Sequence, residues 1–298
     1  MSNKIPVTAI VLTRDEAINI GRCLAALGDF DDLIVVDSGS TDGTLDIVRA
    51  EFPDVRVFQH PFEDFGQQRN WAIEETDAQH DWILFVDADE FMEPGLGDEI
   101  RQFVADPGDA VGAFIAGRNY FLGRWLKRCT YFPSYQLRLL KRGEVWYRRE
   151  GHGQREVTNG STVYLRNHWV HEGFSHGVEQ WIDRHNRYST AECELILRLR
   201  QERLSVRELF QRDPVRRRRA LKTLGAKLPG RPFTRFFYTY FLRLGFLDGY
   251  AGLIFCMLRF GHDCHIVAKL AESRDGGTVG TGEKEILAEE WRGRGMGR

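Results

Sequence analysis

Asp87-Ala88-Asp89-Glu90 places two carboxylates one residue apart, directly after the apolar run Asp81-Trp82-Ile83-Leu84-Phe85-Val86. The run reads as a buried strand. In an extended segment the side chains at i and i+2 point the same way, so Asp87 and Asp89 could share one hard cation, and that cation could hold a diphosphate. A second acidic strand end, Val35-Val36-Asp37, leads into the turn Ser38-Gly39-Ser40-Thr41-Asp42-Gly43. There Asp37 is placed to accept hydrogen bonds from a nucleobase or ribose, and Thr41 or Asp42 to cap the helix that follows. Neither G-x-G-x-x-G nor G-x-x-x-x-G-K occurs, which argues against hydride transfer and P-loop chemistry.

The elements that must position these residues alternate between strand and helix. Val7–Leu12, Leu33–Val36, Val55–Phe58 and Asp81–Val86 are strand-like; residues 16–27, Leu45–Phe52 and Gly66–Glu75 have helical spacing. Strands joined through helices predict a mainly parallel, doubly wound α/β sheet, in which ligands bind beyond the carboxyl ends of the strands. Further runs at Ala113–Ala116, Tyr135–Leu140 and Thr162–Leu165 lack helices between them and are expected to form an antiparallel remainder of the same domain.

The net charge of -2 conceals an asymmetry: residues 1–110 hold 24 Asp and Glu against 7 Lys and Arg. An acidic half beside a basic one suggests metal and nucleotide chemistry in the first and contact with an anionic surface in the second. Five scattered cysteines, Cys23, Cys129, Cys193, Cys256 and Cys264, form no Cys-x-x-Cys pair and read as thiols of a reducing compartment. The N-terminal residues carry no secretory pattern, and catalysis is expected on the cytoplasmic side.

Thr13-Arg14-Asp15-Glu16, VVDSGSTDGT at 35–44, Gly66-Gln67-Gln68-Arg69-Asn70 and Val86-Asp87-Ala88-Asp89-Glu90, in this order and spacing, resemble glycosyltransferase family 2 over roughly residues 5–100. Gly151-His152-Gly153-Gln154-Arg155-Glu156 and the run Trp181–Ser189 are similar to lipopolysaccharide-core β-glucosyltransferases and related envelope-polysaccharide enzymes. The resemblance implies a GT-A fold, Rossmann-like with a mainly parallel central sheet flanked by helices. It also implies a nucleoside-diphosphate sugar donor, a UDP-sugar by preference, and inversion at the anomeric carbon. Carried onto this chain, Thr13 and Glu16 lie at the base, Asp37 at base or ribose, Arg69 beside them and Asp87 at ribose or metal. Asp89 coordinates Mg²⁺ or Mn²⁺, and His171 approaches metal or diphosphate. For the base that deprotonates the acceptor hydroxyl the resemblance leaves Glu156 first and Glu150 second, because Gln154 can stand where relatives carry the acid. His168 and His171 have zinc-like spacing without a second ligand pair. Arg184, His185 and Arg187 are either phosphate contacts or a solvated helix face.

The expected organisation is a catalytic domain over 1–205 (nucleotide half about 1–110, acceptor half 111–205), a basic and apolar helical extension over 206–272, and a flexible tail over 273–298. Nine Lys and Arg between 212 and 235 precede Gly245–Phe260, an apolar stretch interrupted by Asp248 and short of a bilayer span. An interfacial, membrane-associating element on an anionic surface is one reading; packing on the catalytic domain or a subunit interface through 233–270 is another. No nucleic-acid module accompanies the basic run. The functional expectation is a metal-dependent glycosyltransferase, peripheral on the inner face of the plasma membrane, acting on a lipid-linked saccharide or lipopolysaccharide core. A sugar nucleotidyltransferase and a non-catalytic nucleotide-sugar-binding scaffold are the alternatives.

Overall fold

The structure, a computed structural model, describes residues 4–150, 153–201 and 230–273, with backbone alone at 149 and 150. The basic run at 212–219, the tail beyond 273 and His152 lie outside the described residues. Strands β1 (Ile5–Thr13), β2 (Phe30–Asp37), β3 (Arg56–Gln59) and β4 (Trp82–Asp87) pair in the parallel order β3-β2-β1-β4. Both faces of this sheet are covered, which is why its strands read as continuous apolar runs. On one face lie α1 (Ile20–Ala26), α2 (Thr44–Glu51) and α4 (Leu96–Ala105); Leu24, Leu45 and Ile100 pack there with Val7, Val35 and Leu84. On the other, α3 (Phe65–Glu75) contributes Ala72 and Ile73 against Ile10, Ile34 and Phe85. Asp64 starts α3 by accepting from the amides of Gly66 and Gln67 at 2.8 and 2.9 Å.

The sheet continues through β8 (Ser134–Lys141), β6 (Ala110–Phe121), β11 (Ser161–His171) and β5 (Glu90–Met92), with the short β7 (Arg124–Trp125) on β6. The expected antiparallel remainder holds for β8 against β4 and β6, and for β5 against β11. It fails for β11, which runs parallel to β6. The hairpin of β9 (Trp146–Glu150) and β10 (Gly153–Val157) lies between β8 and β11 in the chain and returns it to the end where β8 finished; β11 then pairs with β6, itself antiparallel to β8, and so runs parallel to it.

The chain forms two compact units, one through Val178 together with Leu247–Gly252, the other Glu179–Phe246 with the chain from Leu253 on. The boundary thus falls near 178 rather than 205. Helix α5 (Gly177–Gln201) has its core in the second unit because Cys193, Ile196 and Leu199 pack on Ile266 and Leu270 of α7 (Gly249–Glu272). A short helix, α6 (Arg231–Phe237), continues into a π-turn at Tyr238–Leu242. The helical stretch Gly245–Glu272 runs on past Phe260 and, contrary to the sequence reading, is long and apolar enough to cross a membrane by length and composition. In the first unit Asp248, seen in the sequence only as a polar interruption, accepts from the amides of Arg128 and Cys129 at 2.8 and 2.9 Å.

Candidate active site

The carboxyl ends of β2, β1 and β4 lie side by side: Thr13 is in register with Asp37, and Leu12 with Asp87. Between them the loops are laced together. The amide of Asp15, at φ 54°, donates to Ser40 Oγ at 2.8 Å, and that of Glu16 to Thr44 Oγ1 at 2.8 Å. Asp42 Oδ2 accepts from the amide of Ala17 at 2.9 Å, and its Oδ1 from that of Thr44 at 3.0 Å, so Asp42 serves the start of α2 from outside the cap position. Asp37 is fully buried and accepts from the amides of Gly39 and Ser40 and from Ser40 Oγ. Its carboxylate therefore holds the 38–40 turn, where Gly39 takes φ +85°. Glu16 accepts from Asn19 at 2.5 Å and stands 3.0 Å from His176 Nε2; its burial raises its pKa.

Asp87 sits in a cage of two buried arginines. Arg69 Nη2 reaches Oδ1 at 3.1 Å and Arg138 Nη2 reaches Oδ2 at 2.8 Å. Burial opposes the Asp87 charge, but Arg138 and Arg69 outweigh it and hold its pKa well below the usual range. Arg138 also donates to Glu90 Oε1 at 2.6 Å, while Glu90 Oε2 accepts from the amide of Asp87. Burial, with the neighbouring charges of Asp87 and Asp89, pushes Glu90 up to about 7. Arg138 is aimed by a β-bulge. Ala113 pairs with Leu139 and Phe114 with Leu137, so Arg138 is the extra residue that turns out of the ladder.

Arg69, stacked over Phe85 and Tyr147, spends its other end on Gln154 Oε1 at 2.8 Å. This links the β9–β10 hairpin to the cage. Glu156 lies two residues further along β10, on the same side as Gln154, and opposite Tyr147 in the ladder. The side chain of Glu150 is outside the described residues.

Asp89 stands apart from the cage. Its Oδ2 is 3.1 Å from His171 Nε2, and His171 Nδ1 meets Asn119 Oδ1 at 2.8 Å. Burial alone would lower the His171 pKa, yet Asp89 raises it, helped by Glu90 and Asp87, to about 9. Among the described residues no group of three or more His, Cys, Asp or Glu forms a metal-ligand cluster. His168 turns to Glu93, 3.7 Å away. Arg184, His185 and Arg187 belong to the second unit, where burial drives His185 down to about 3 and its Nδ1 meets the carbonyl of Trp181.

The structure thus brings together Arg69 with Asp87, and Asp89 with His171. Sequence reasoning missed Arg138, Glu90 as a partner, Asn119 and His176. Only Arg138 carried a local signal, as the one charge inside the apolar run Tyr135–Leu140.

The model of glycosyl transferase family 2 matches residues 8–162, more than half of the chain. The chain belongs to glycosyl transferase family 2. Its mixed, mostly parallel sheet between helical layers is the GT-A architecture that the resemblance implies. This family 2 member is 29% identical over 151 residues to the lipopolysaccharide core biosynthesis glycosyltransferase LpsC of Rhizobium meliloti, covering 49% of the chain and 55% of LpsC. It is 40% identical over 85 residues to the SPbeta prophage-derived glycosyltransferase SunS of Bacillus subtilis, covering 28% of the chain and 20% of SunS. The match thus spans about half the length of the first relative and a fifth of the second. A mannosyltransferase from Pyrobaculum calidifontis, solved with GDP-Man and Mn²⁺, is similar over 87% of this chain and 88% of its own, at 17% identity and a TM-score of 0.46.

Proposed function

We propose that this glycosyltransferase moves a sugar, with inversion, from a nucleoside-diphosphate sugar, UDP-linked by preference, to a hydroxyl of a lipid-linked saccharide or lipopolysaccharide core at the inner face of the plasma membrane. The observation that carries the reading is the pair of acidic groups with unequal surroundings at the end of β4: Asp87 caged by Arg69 and Arg138, Asp89 facing His171.

A divalent cation, Mg²⁺ or Mn²⁺, fits Asp89 and His171. The 3.1 Å between their facing atoms is about the separation of neighbouring ligands on an octahedral ion with bonds of about 2.1 Å. Such an ion would neutralise charge building on the leaving diphosphate. Asp87, whose oxygens already serve two arginines, fits an orienting role toward ribose better than direct ligation. Thr13, Glu16, Asp37 and Arg69 surround the base and ribose in this reading; buried Thr13 Oγ1, Arg69 Nε and Arg138 Nη1 have no hydrogen-bond partner among the described residues and offer polar capacity there. Asp37 acts by shaping the 38–40 turn. Asn119 orients His171 so that Nε2 faces Asp89.

Transfer also needs a group to take the acceptor proton. Gln154 cannot accept one and is occupied by Arg69, which leaves Glu156 on the same side of the hairpin, with Glu150 second. Purified protein given UDP-sugars and Mn²⁺ should turn over donor, and Glu156→Gln should lower kcat by about a hundredfold or more with little change in donor KM. Full kcat in that variant would remove Glu156 from the mechanism.

The raised pKa of His171 gives this site a pH signature. In the metal-free protein its stabilising effect is complete below the ordinary value of 6.5 and is lost as pH rises through about 9. Cation binding must displace the same proton, so calorimetric Mn²⁺ affinity is expected to rise about tenfold per unit from pH 7 toward 9 and then level off. A His171→Gln variant should show a flat profile over that range; an unchanged slope would exclude His171 as a ligand.

A further inference from the structure

Within the second unit, α6 and its π-turn are built inside out. Phe233, Phe237, Tyr238, Phe241 and Leu242 recur at helical spacing along one face and are 70, 54, 45, 47 and 65% exposed. The charged residues of the same helix turn inward: Arg231 Nε and Arg235 Nη1 lie 3.0 and 3.1 Å from Asp263, which is fully buried. A helix in water buries its apolar stripe and leaves charge outside, because exposed hydrocarbon and buried charge both cost free energy. Here both terms run the wrong way for water and the right way for hydrocarbon. An apolar face of this kind marks a surface meant to be covered.

We infer that the face Phe233–Leu242 docks this protein on an anionic lipid surface, with its aromatic rings inserted to the depth of the headgroup and acyl boundary. Charge selects lipid over a second copy of the chain. In the sequence directly before this face, residues 206–229, outside the described residues, carry eight Lys and Arg against two Asp and Glu, a net of +6 tethered within a few residues of Phe233 that would repel a second copy and that anionic headgroups would attract. Docking is interfacial, not spanning. Helix α7 gives Ile266 and Leu270 to the packing with α5, and Lys269 Nζ donates to the carbonyl of Asn186 and the hydroxyls of Ser189 and Thr190, so one side of α7 is committed within its own unit. The inference rests on the proposed reading only in taking a lipid-borne acceptor as its reason.

The test needs no donor, so its outcome is separable from that of the transfer assay. The full chain should sediment with vesicles of phosphatidylcholine and phosphatidylglycerol, bind phosphatidylcholine alone far less, and be released by alkaline carbonate. Combined Phe233→Ser, Phe237→Ser and Phe241→Ser should lower the bound fraction at least about tenfold at roughly 0.15 M salt, where screening leaves insertion to hold the protein. Phe237→Trp, which keeps the face apolar, should shift its emission to the blue and become accessible to a brominated-lipid quencher on adding the anionic vesicles. Unchanged vesicle binding by the triple serine variant, an unshifted tryptophan, resistance to carbonate, or a dimer that the serine substitutions dissociate would each overturn the inference.

Discussion

Asp89→Asn is expected to lower sugar transfer by about a hundredfold or more, the loss of several kcal/mol of charge stabilisation at the leaving group, with the fold intact. The fold should survive because Asn keeps the shape of the side chain, and the backbone carbonyl of residue 89, which accepts from the amide of Glu172, is untouched by the substitution. Removal of its charge takes away the largest influence that raises the His171 pKa. Titration of that imidazole by NMR should therefore find it falling from about 9 toward its ordinary value, and Mn²⁺ should no longer raise the melting temperature. Full turnover by Asp89→Asn would sink the assignment of the ion to this carboxylate.

Arg138→Met should be the most destabilising single change in the site. Arg138 is 3% exposed and is shared by Asp87, which keeps Arg69, and by Glu90, which is 5% exposed, so its removal strands the buried Glu90 carboxylate. Breaking a buried pair in this way costs about 3–5 kcal/mol, against about 0–1 kcal/mol for an exposed pair such as Arg22–Glu172. Urea unfolding should register the loss, and adding Glu90→Gln should restore part of it, since the coupling is shared among contacting groups. Two strictly additive substitutions would mean that Arg138 and Glu90 do not act as one network.

Strands β1, β2 and β4 were legible because a sheet covered on both faces writes its burial directly as uninterrupted Val, Ile, Leu and Phe. Asp37, Asp87 and Asp89 were legible because each closes such a run. The helix expected from residue 16 starts only at Ile20, since Asp15 takes a positive φ and the amides of residues 15–17 donate across to Ser40, Thr44 and Asp42, while the Glu16 carbonyl opens the first turn by accepting from Asn19 and Ile20. No local pattern encodes that lacing. The same holds for the bulge that aims Arg138, which exists only as an offset between two strands, and for Gln154, whose meaning depends on Arg69 85 residues earlier. The expected direction of β11 failed on connectivity: hydrophobic alternation identifies a strand but carries no sign for the end from which it enters.

The return of Leu247–Gly252 to the first unit bears on how this protein can be cut. The chain leaves that unit after Val178, comes back to give Asp248 to the amides of Arg128 and Cys129, and leaves again. A fragment ended near 205, where composition alone would invite the cut, would keep every strand yet lack the piece that ties down the loop after β7. Each unit is made of two separate stretches of chain, and the first is complete only in a chain that extends past residue 252.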